Sequence, residues 1–143
     1  MTGCHIALRF GGVWQLGIDL MLDHLSLGVT DLGRAMRFYD AAFAPLGYAR
    51  RLSTAREAAY GPEGAPTFWL YPVEPGESVV GAGTHIAIAA PDRISVEAAH
   101  AAAIAAGGIS VRSPAKRPEI SENYFGAVIL DPDGHKLEFV AAN

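Results

Sequence analysis

The chain has a single cysteine, few charged residues and no long hydrophobic run. Cys4 has no second cysteine with which to form an internal disulfide, so nothing favours an oxidising compartment. No apolar segment approaches the ~20 residues that a membrane-spanning helix needs. The 11 lysines and arginines are outnumbered by 15 acidic residues and form no basic stripe, which argues against a nucleic-acid partner. These absences predict a cytoplasmic protein without a membrane or nucleic-acid partner.

The 143 residues, of which 50% are apolar, are enough for one domain with its own core. Residues 1–20 lack the basic start and the small-residue cleavage site of a signal peptide. Met21 follows them directly and begins MLDHLSLGV, which is typical of a chain start. We therefore expect residues 1–20 to be an extension outside the fold, and residues 21–142 to form one domain.

Two segments of that domain repeat the same pattern. Adding 61 to the residue number takes His24 to His85 and Asp31 to Asp92. In each copy an alternating strand is followed by an aspartate that can cap a helix, the helix, a glycine that ends it, and further strands. The expected helices are 32–44 and 93–106, and the expected strands are 23–29, 48–53, 56–60, 67–73, 84–90, 109–113, 124–130 and 135–141.

The repeat predicts an α+β fold of two tandem βαβββ modules, residues 21–76 and 83–142. Neither module is large enough to bury its own apolar face. We expect them to pack together, with curved mixed sheets around a cleft and helices on the outer side.

Three polar side chains share one face of the predicted strands. In the first strand the apolar positions from Leu25 to Val29 should face the helix, so His24 faces the other way. The same rule places His85 and Glu138 on the corresponding face of their strands. Two imidazoles and one carboxylate can hold a divalent or iron-type metal with positions free for a substrate. The alternatives are hydrogen-bonded or exposed histidines, and a glutamate paired with an arginine or lysine.

The same cleft contains further candidates. Aromatic rings on the last strand of the first module would suit a flat or apolar substrate, and nearby tyrosines would donate hydrogen bonds or a proton. An arginine could bind an anionic group, and a glutamate could act as a base. The substrate-binding candidates are Trp69, Tyr71, Tyr60 and Arg117, and the catalytic candidates are Tyr124 and Glu57.

The segments DHLSLGVTDL, GTHIAIAAP and FGAVILDPDGHKLEFV resemble the glyoxalase, bleomycin-resistance and extradiol-dioxygenase superfamily, also called vicinal oxygen chelate proteins. The resemblance covers residues 21–142 and implies paired βαβββ modules around a cleft. It also implies metal ligands on the first and last strands of each module, which by position are His24, His85 and Glu138. At the fourth position, Trp69 stands where a carboxylate would complete a four-ligand glyoxalase I site.

The resemblance therefore implies a three-ligand site for a divalent ion such as Zn, Mn, Ni or Fe, and argues against lactoylglutathione lyase activity. A small substrate with adjacent oxygens would bind the metal and undergo isomerisation, thiol transfer or oxygenation. The alternative is a metal-free, small-molecule-binding protein of the bleomycin-resistance kind. A homodimer is expected in either case, because a second copy can complete the cleft.

Overall fold

The computed structural model describes residues 8–10, 13–15 and 22–142. The short strands β1 (Leu8–Phe10) and β2 (Val13–Gln15) pair antiparallel with each other. Most of the expected extension, including Cys4 and His5, lies outside the described residues. No helix in the described part of the chain is long and apolar enough to cross a membrane.

The first module follows the predicted βαβββ order. Its elements are β3 (Leu25–Val29), α1 (Leu32–Phe43), a 3₁₀ turn (Ala44–Leu46), β4 (Ala49–Ser53), β5 (Ala58–Gly61) and β6 (Phe68–Pro72). The Asp31 side chain accepts a hydrogen bond from the Arg34 amide at 2.8 Å and so caps α1 as expected. The sheet has the order β3-β6-β5-β4, in which only β3 and β6 run parallel.

The second module repeats this plan. Its elements are β7 (Ile86–Ala89), α2 (Arg93–Ala105), β8 (Ile109–Lys116), β9 (Phe125–Leu130) and β10 (Lys136–Ala141). The sheet order β7-β10-β9-β8 matches that of the first sheet, with β7 and β10 parallel. The α+β fold of two tandem modules is thereby confirmed. The β8 strand continues beyond the predicted residue 113, because two register shifts against β9 accommodate the irregular segment around Pro114.

The two helices connect the modules. Each helix covers one face of its own sheet, and α1 and α2 also contact each other. Residues of both modules form one continuous core, in which the rings of Tyr39 and Phe43 pack edge-on or tilted against Tyr60 and Phe68. The helix-facing side of each sheet is therefore buried, and no helix of the described residues covers the opposite side, which we call the open face.

A buried aspartate in the β9–β10 turn joins the modules through hydrogen bonds. Asp131 is 3% exposed and accepts a hydrogen bond from the Tyr39 hydroxyl of α1 at 2.7 Å. Its other oxygen accepts hydrogen bonds from the backbone amides of Asp133 and His135. The side chain thus holds the turn in shape and attaches it to the other module.

Two neighbours of Asp131 extend this junction. The His135 ring is buried, and its Nε2 lies 2.8 Å from the carbonyl oxygen of Gly28 at the end of β3. Asp133 accepts hydrogen bonds from Thr30 and from the guanidinium of Arg34. The sequence indicated only a tight turn here, and gave His135 no role beyond being a turn residue.

Burial and the Asp131 carboxylate raise the pKa of Tyr39 well above its usual value of about 10. The folded state therefore favours the protonated phenol. The resulting contribution to the free energy of unfolding is fully present at neutral pH and is lost as the pH rises above about 10. We expect Tyr39→Phe to be less stable than the wild type at pH 8 but to lose less stability between pH 8 and pH 11. Urea unfolding at both pH values tests this, and equal losses for the two proteins would contradict it.

Candidate functional site

The open face of the second sheet brings His85 and Glu138 together. Glu138 on β10 is level with Ala87 on β7, and His85 lies two residues before Ala87 on the same face. The Nε2 atom of His85 is 3.3 Å from Oε2 of Glu138. Half of the His85 side chain is exposed, whereas Glu138 is 6% exposed. Two of the three predicted ligands are therefore neighbours, and one of them faces solvent.

Arg112 joins this pair, and the sequence reasoning missed it. Arg112 on β8 is level with Val128 on β9, which is level with Glu138, so one row of residues crosses the sheet. The Nη2 atom of Arg112 lies 2.7 Å from Oε1 of Glu138. The signal that pointed to it was the buried glutamate itself, because a carboxylate in an apolar strand needs a charged partner.

Two residues of the adjoining segment complete the surroundings of the carboxylate. A Cβ atom at Gly126 would come within 2.9 Å of Oε1 of Glu138 and 3.3 Å of Cε1 of Tyr124, so glycine leaves the room that the carboxylate occupies. Burial raises the pKa of Tyr124, and the negative charge of Glu138 raises it further. Tyr124, predicted as an acid catalyst, therefore lies beside the pair and remains a neutral phenol at pH 7.

His24 lies in the other module. Its Nδ1 is 2.6 Å from Oδ1 of Asp23, and the ring is more than half exposed. Both residues line a cavity of about 380 Å³ between the modules, whose other walls include the helix-facing side chains Leu25, Ile86 and Ile88. His24 is therefore at the edge of the apolar space between the modules.

This arrangement does not bring the three predicted ligands together within one chain, and the three-ligand metal site stays a prediction. The part of the chain that the structure describes contains no group of three His, Cys, Asp or Glu side chains placed to hold one metal ion. The physical reason is that the modules are joined through their helices and common core, so the open faces of the two sheets do not close on each other within one chain.

The predicted aromatic pair lies on the open face of the first sheet. Trp69 is level with Ser26, and Tyr71 is level with Gly28. Their rings are parallel to within 7°, with centroids 6.3 Å apart, and Tyr71 is 38% exposed. Ser26 lies two residues after His24, as Ala87 does after His85, so Trp69 occupies the position in the first module that Glu138 occupies in the second.

Three other candidates form no hydrogen bond or ion pair with His85 or Glu138 within the described residues. Tyr60 is 1% exposed and faces α1, where its hydroxyl donates to Oδ1 of Asp40 at 2.9 Å. Glu57 closes the β4–β5 connection through its carbonyl, which accepts from the Thr54 amide. Arg117 follows β8, and its nearest acidic partner is Glu119, at 3.9 Å.

The fold agrees with comparisons to known proteins. A family model described as the glyoxalase/bleomycin resistance protein/dioxygenase superfamily matches residues 21–139. The chain belongs to this superfamily. The matched range begins where the predicted extension ends and includes every candidate residue named above.

Several solved structures are similar to this chain along most of their length. A glyoxalase/bleomycin resistance protein from Albidiferax ferrireducens T118 is 30% identical, with a TM-score of 0.75; the match covers 84% of this chain and 98% of that one. Protein ATC0852 from Agrobacterium tumefaciens is 26% identical, with a TM-score of 0.61 and coverage of 85% and 97%. A glyoxalase-related enzyme from Fulvimarina pelagi has 23% identity, a TM-score of 0.66 and coverage of 85% and 87%, and supports the fold alone. No curated protein matches the chain.

The types of donor atom at this site are suitable for a divalent metal, but one chain brings together only two of the three predicted ligands. Imidazole nitrogen and carboxylate oxygen are ordinary ligands of zinc and of iron-type metals. Oε2 of Glu138 and Nε2 of His85 already face each other, while Oε1 is held by Arg112. A ligand set typical of the superfamily would need one more donor from outside the second module.

Proposed function

We propose that this superfamily member is a metal-dependent enzyme acting on a small molecule with two adjacent oxygen atoms. The observation that supports the proposal is the His85–Glu138 pair, with 3.3 Å between Nε2 and Oε2 on the open face of a sheet. Burying a carboxylate in an apolar strand is costly. The exposed imidazole beside it provides a second metal-binding atom and leaves the carboxylate accessible to a cation. Such a pair is suited to a cation that approaches from the open face.

We further propose that a second copy of the chain supplies His24. A two-fold dimer would place the first sheet of one copy opposite the second sheet of the other, and would do so twice. The sheet order is consistent with this, because β3 and β7 both lie at the edge of their sheets, where a partner can approach. The exposed Tyr71 would then be covered by the partner's second sheet.

In such a site each side chain has a distinct task. His85, Glu138 and the partner's His24 would hold the metal, which when bound supplies Lewis-acid stabilisation of negative charge on the substrate oxygens. Trp69 would pack against a flat part of the substrate. Tyr124 would hold a proton close to Glu138, because a phenol is protonated at neutral pH, and burial together with the charge of Glu138 raises its pKa further above the ordinary value.

Metal analysis of purified protein tests the proposal. We expect about one Zn, Mn, Ni or Fe ion per chain in the wild type, and less than a tenth of that in His85→Ala and Glu138→Gln, since each variant removes one ligand of three. His100→Ala is the matched control, because His100 is on α2 with its Nε2 2.8 Å from the Ser110 hydroxyl, away from the pair. A metal-free wild type, or unchanged metal content in both variants, would contradict the proposal.

The second candidate function is metal-free binding of a small molecule, as in the bleomycin-resistance proteins. The Arg112–Glu138 pair at 2.7 Å favours it, because the buried carboxylate is then balanced without a metal. The parallel rings of Trp69 and Tyr71 favour it as well, since they offer an aromatic surface to a flat ligand. The same metal analysis discriminates between the two, and a dimer without metal would favour binding.

A further inference from the structure

We propose that Arg112 binds a carboxylate of the substrate, so that the substrates of this site are small carboxylic acids with a second oxygen beside the carboxyl group. The requirement for a second oxygen rests on the proposed metal site. The requirement for a carboxylate rests on Arg112 alone, and the two can be tested separately.

The first observation is that the Arg112 guanidinium is only partly used. It donates one hydrogen bond, from Nη2 to Oε1 of Glu138, rather than the two parallel bonds of a bidentate arginine–carboxylate pair. Its Nε is buried and has no acceptor among the described residues. Buried donors nearly always have partners in native proteins. The Nε atoms of Arg34 and Arg117 also lack an acceptor among the described residues, but of these three arginines Arg112 is the one that contacts Glu138, beside the proposed metal position.

The second observation is the position of the guanidinium relative to His85. Arg112 and His85 contact different oxygens of the same carboxylate, Oε1 and Oε2 of Glu138. A metal bound beside His85 and Oε2 would therefore be a near neighbour of the guanidinium. A carboxylic acid with a second oxygen on the carbon next to the carboxyl group could then place that oxygen on the metal and its carboxylate on Arg112.

The third observation is access and charge. About a third of the Arg112 side chain and half of the His85 side chain are exposed, so both can be approached from the open face of the sheet. Arg112 is the permanent cation of this cluster, and its planar fork matches a carboxylate. A bound carboxylate would take up donors that Glu138 leaves free, without separating Arg112 from Glu138.

The experiment compares two probes of similar size. Pyruvate has a carbonyl beside a carboxylate, whereas pyruvamide has the same carbonyl beside an uncharged amide. Calorimetric titration of zinc-loaded wild type is expected to show pyruvate binding at least about tenfold tighter than pyruvamide, and Arg112→Met is expected to reduce that preference several-fold. Arg93→Met is the control, because Arg93 lies on α2 over the Phe125 ring and is expected to keep the preference.

The variant Arg112→Lys tests whether the effect of Arg112→Met on pyruvate binding is only a consequence of a damaged fold. It keeps a positive charge for Glu138 but lacks the fork, so we expect normal folding and zinc content with pyruvate bound at least several-fold more weakly. Equal affinity for pyruvate in wild type, Arg112→Lys and Arg112→Met would overturn the inference, as would a wild type that does not prefer pyruvate.

Zinc content is measured first, so that failure of the proposed function is recognised separately. If the wild type binds no zinc, the metal-dependent function fails, and pyruvate is titrated into the metal-free proteins. Pyruvate binding that Arg112→Met abolishes would still support the role of Arg112. Binding that is the same in both metal-free proteins, or absent from both, would overturn it.

Discussion

A heterodimer of His24→Ala and Glu138→Gln chains is expected to bind about one metal ion, although neither variant binds any as a homodimer. If each site takes His24 from one chain and the His85–Glu138 pair from the other, the heterodimer contains one site with both changes and one site with none. If instead each chain formed its own site, every site of the heterodimer would be damaged. Co-expression with two different affinity tags isolates the heterodimer, and elemental analysis counts the ions.

The matched control is the heterodimer of His85→Ala and Glu138→Gln. These residues face each other in one sheet of the same chain, with 3.3 Å between Nε2 and Oε2. Each site of this heterodimer would therefore lack one ligand, and we expect no metal. Restored binding in the control, no binding in the first heterodimer, or a monomeric mass by light scattering would each contradict a site shared between two copies.

Local patterns were sufficient to predict the modules. Alternation, the helix-capping aspartates Asp31 and Asp92, and the glycine stops are all read within a few residues, and the structure has helices and strands at those places. The pairing of His85 with Glu138 could also be predicted, because two parallel strands with the same apolar face leave only one arrangement of the polar side chains.

Features that depend on contacts between distant segments were not predictable in this way. Arg112 lies in a strand with register shifts on both sides of it, so counting alternate positions along β8 does not reveal which face it occupies. The distance of His24 from the other two ligands depends on how the modules pack, and no local pattern in the strands encodes that. The burial of His135 likewise depends on Gly28, which is 107 residues away.

The module junction should be the most sensitive point of the fold to substitution. We expect Asp131→Ala to lower the free energy of unfolding by about 3–5 kcal/mol, because it removes a buried charged acceptor and leaves several donors unsatisfied. These donors are the Tyr39 hydroxyl and the backbone amides of Asp133 and His135, all bonded to Asp131 at 2.7–2.9 Å. Urea unfolding of wild type and variant at pH 7 measures the difference.

Two control variants separate the junction from the turn. Tyr39→Phe removes only the hydrogen bond from Tyr39 to Asp131 and leaves both backbone donors satisfied, so we expect a smaller loss of about 1–2 kcal/mol. Asp92→Ala removes an exposed helix cap, with an expected loss of about 1 kcal/mol. If Asp131→Ala cost no more than Asp92→Ala, the hydrogen bonds of Asp131 would contribute little to holding the modules together. The shared core and the bonds of Asp133 and His135 would then be responsible for that attachment.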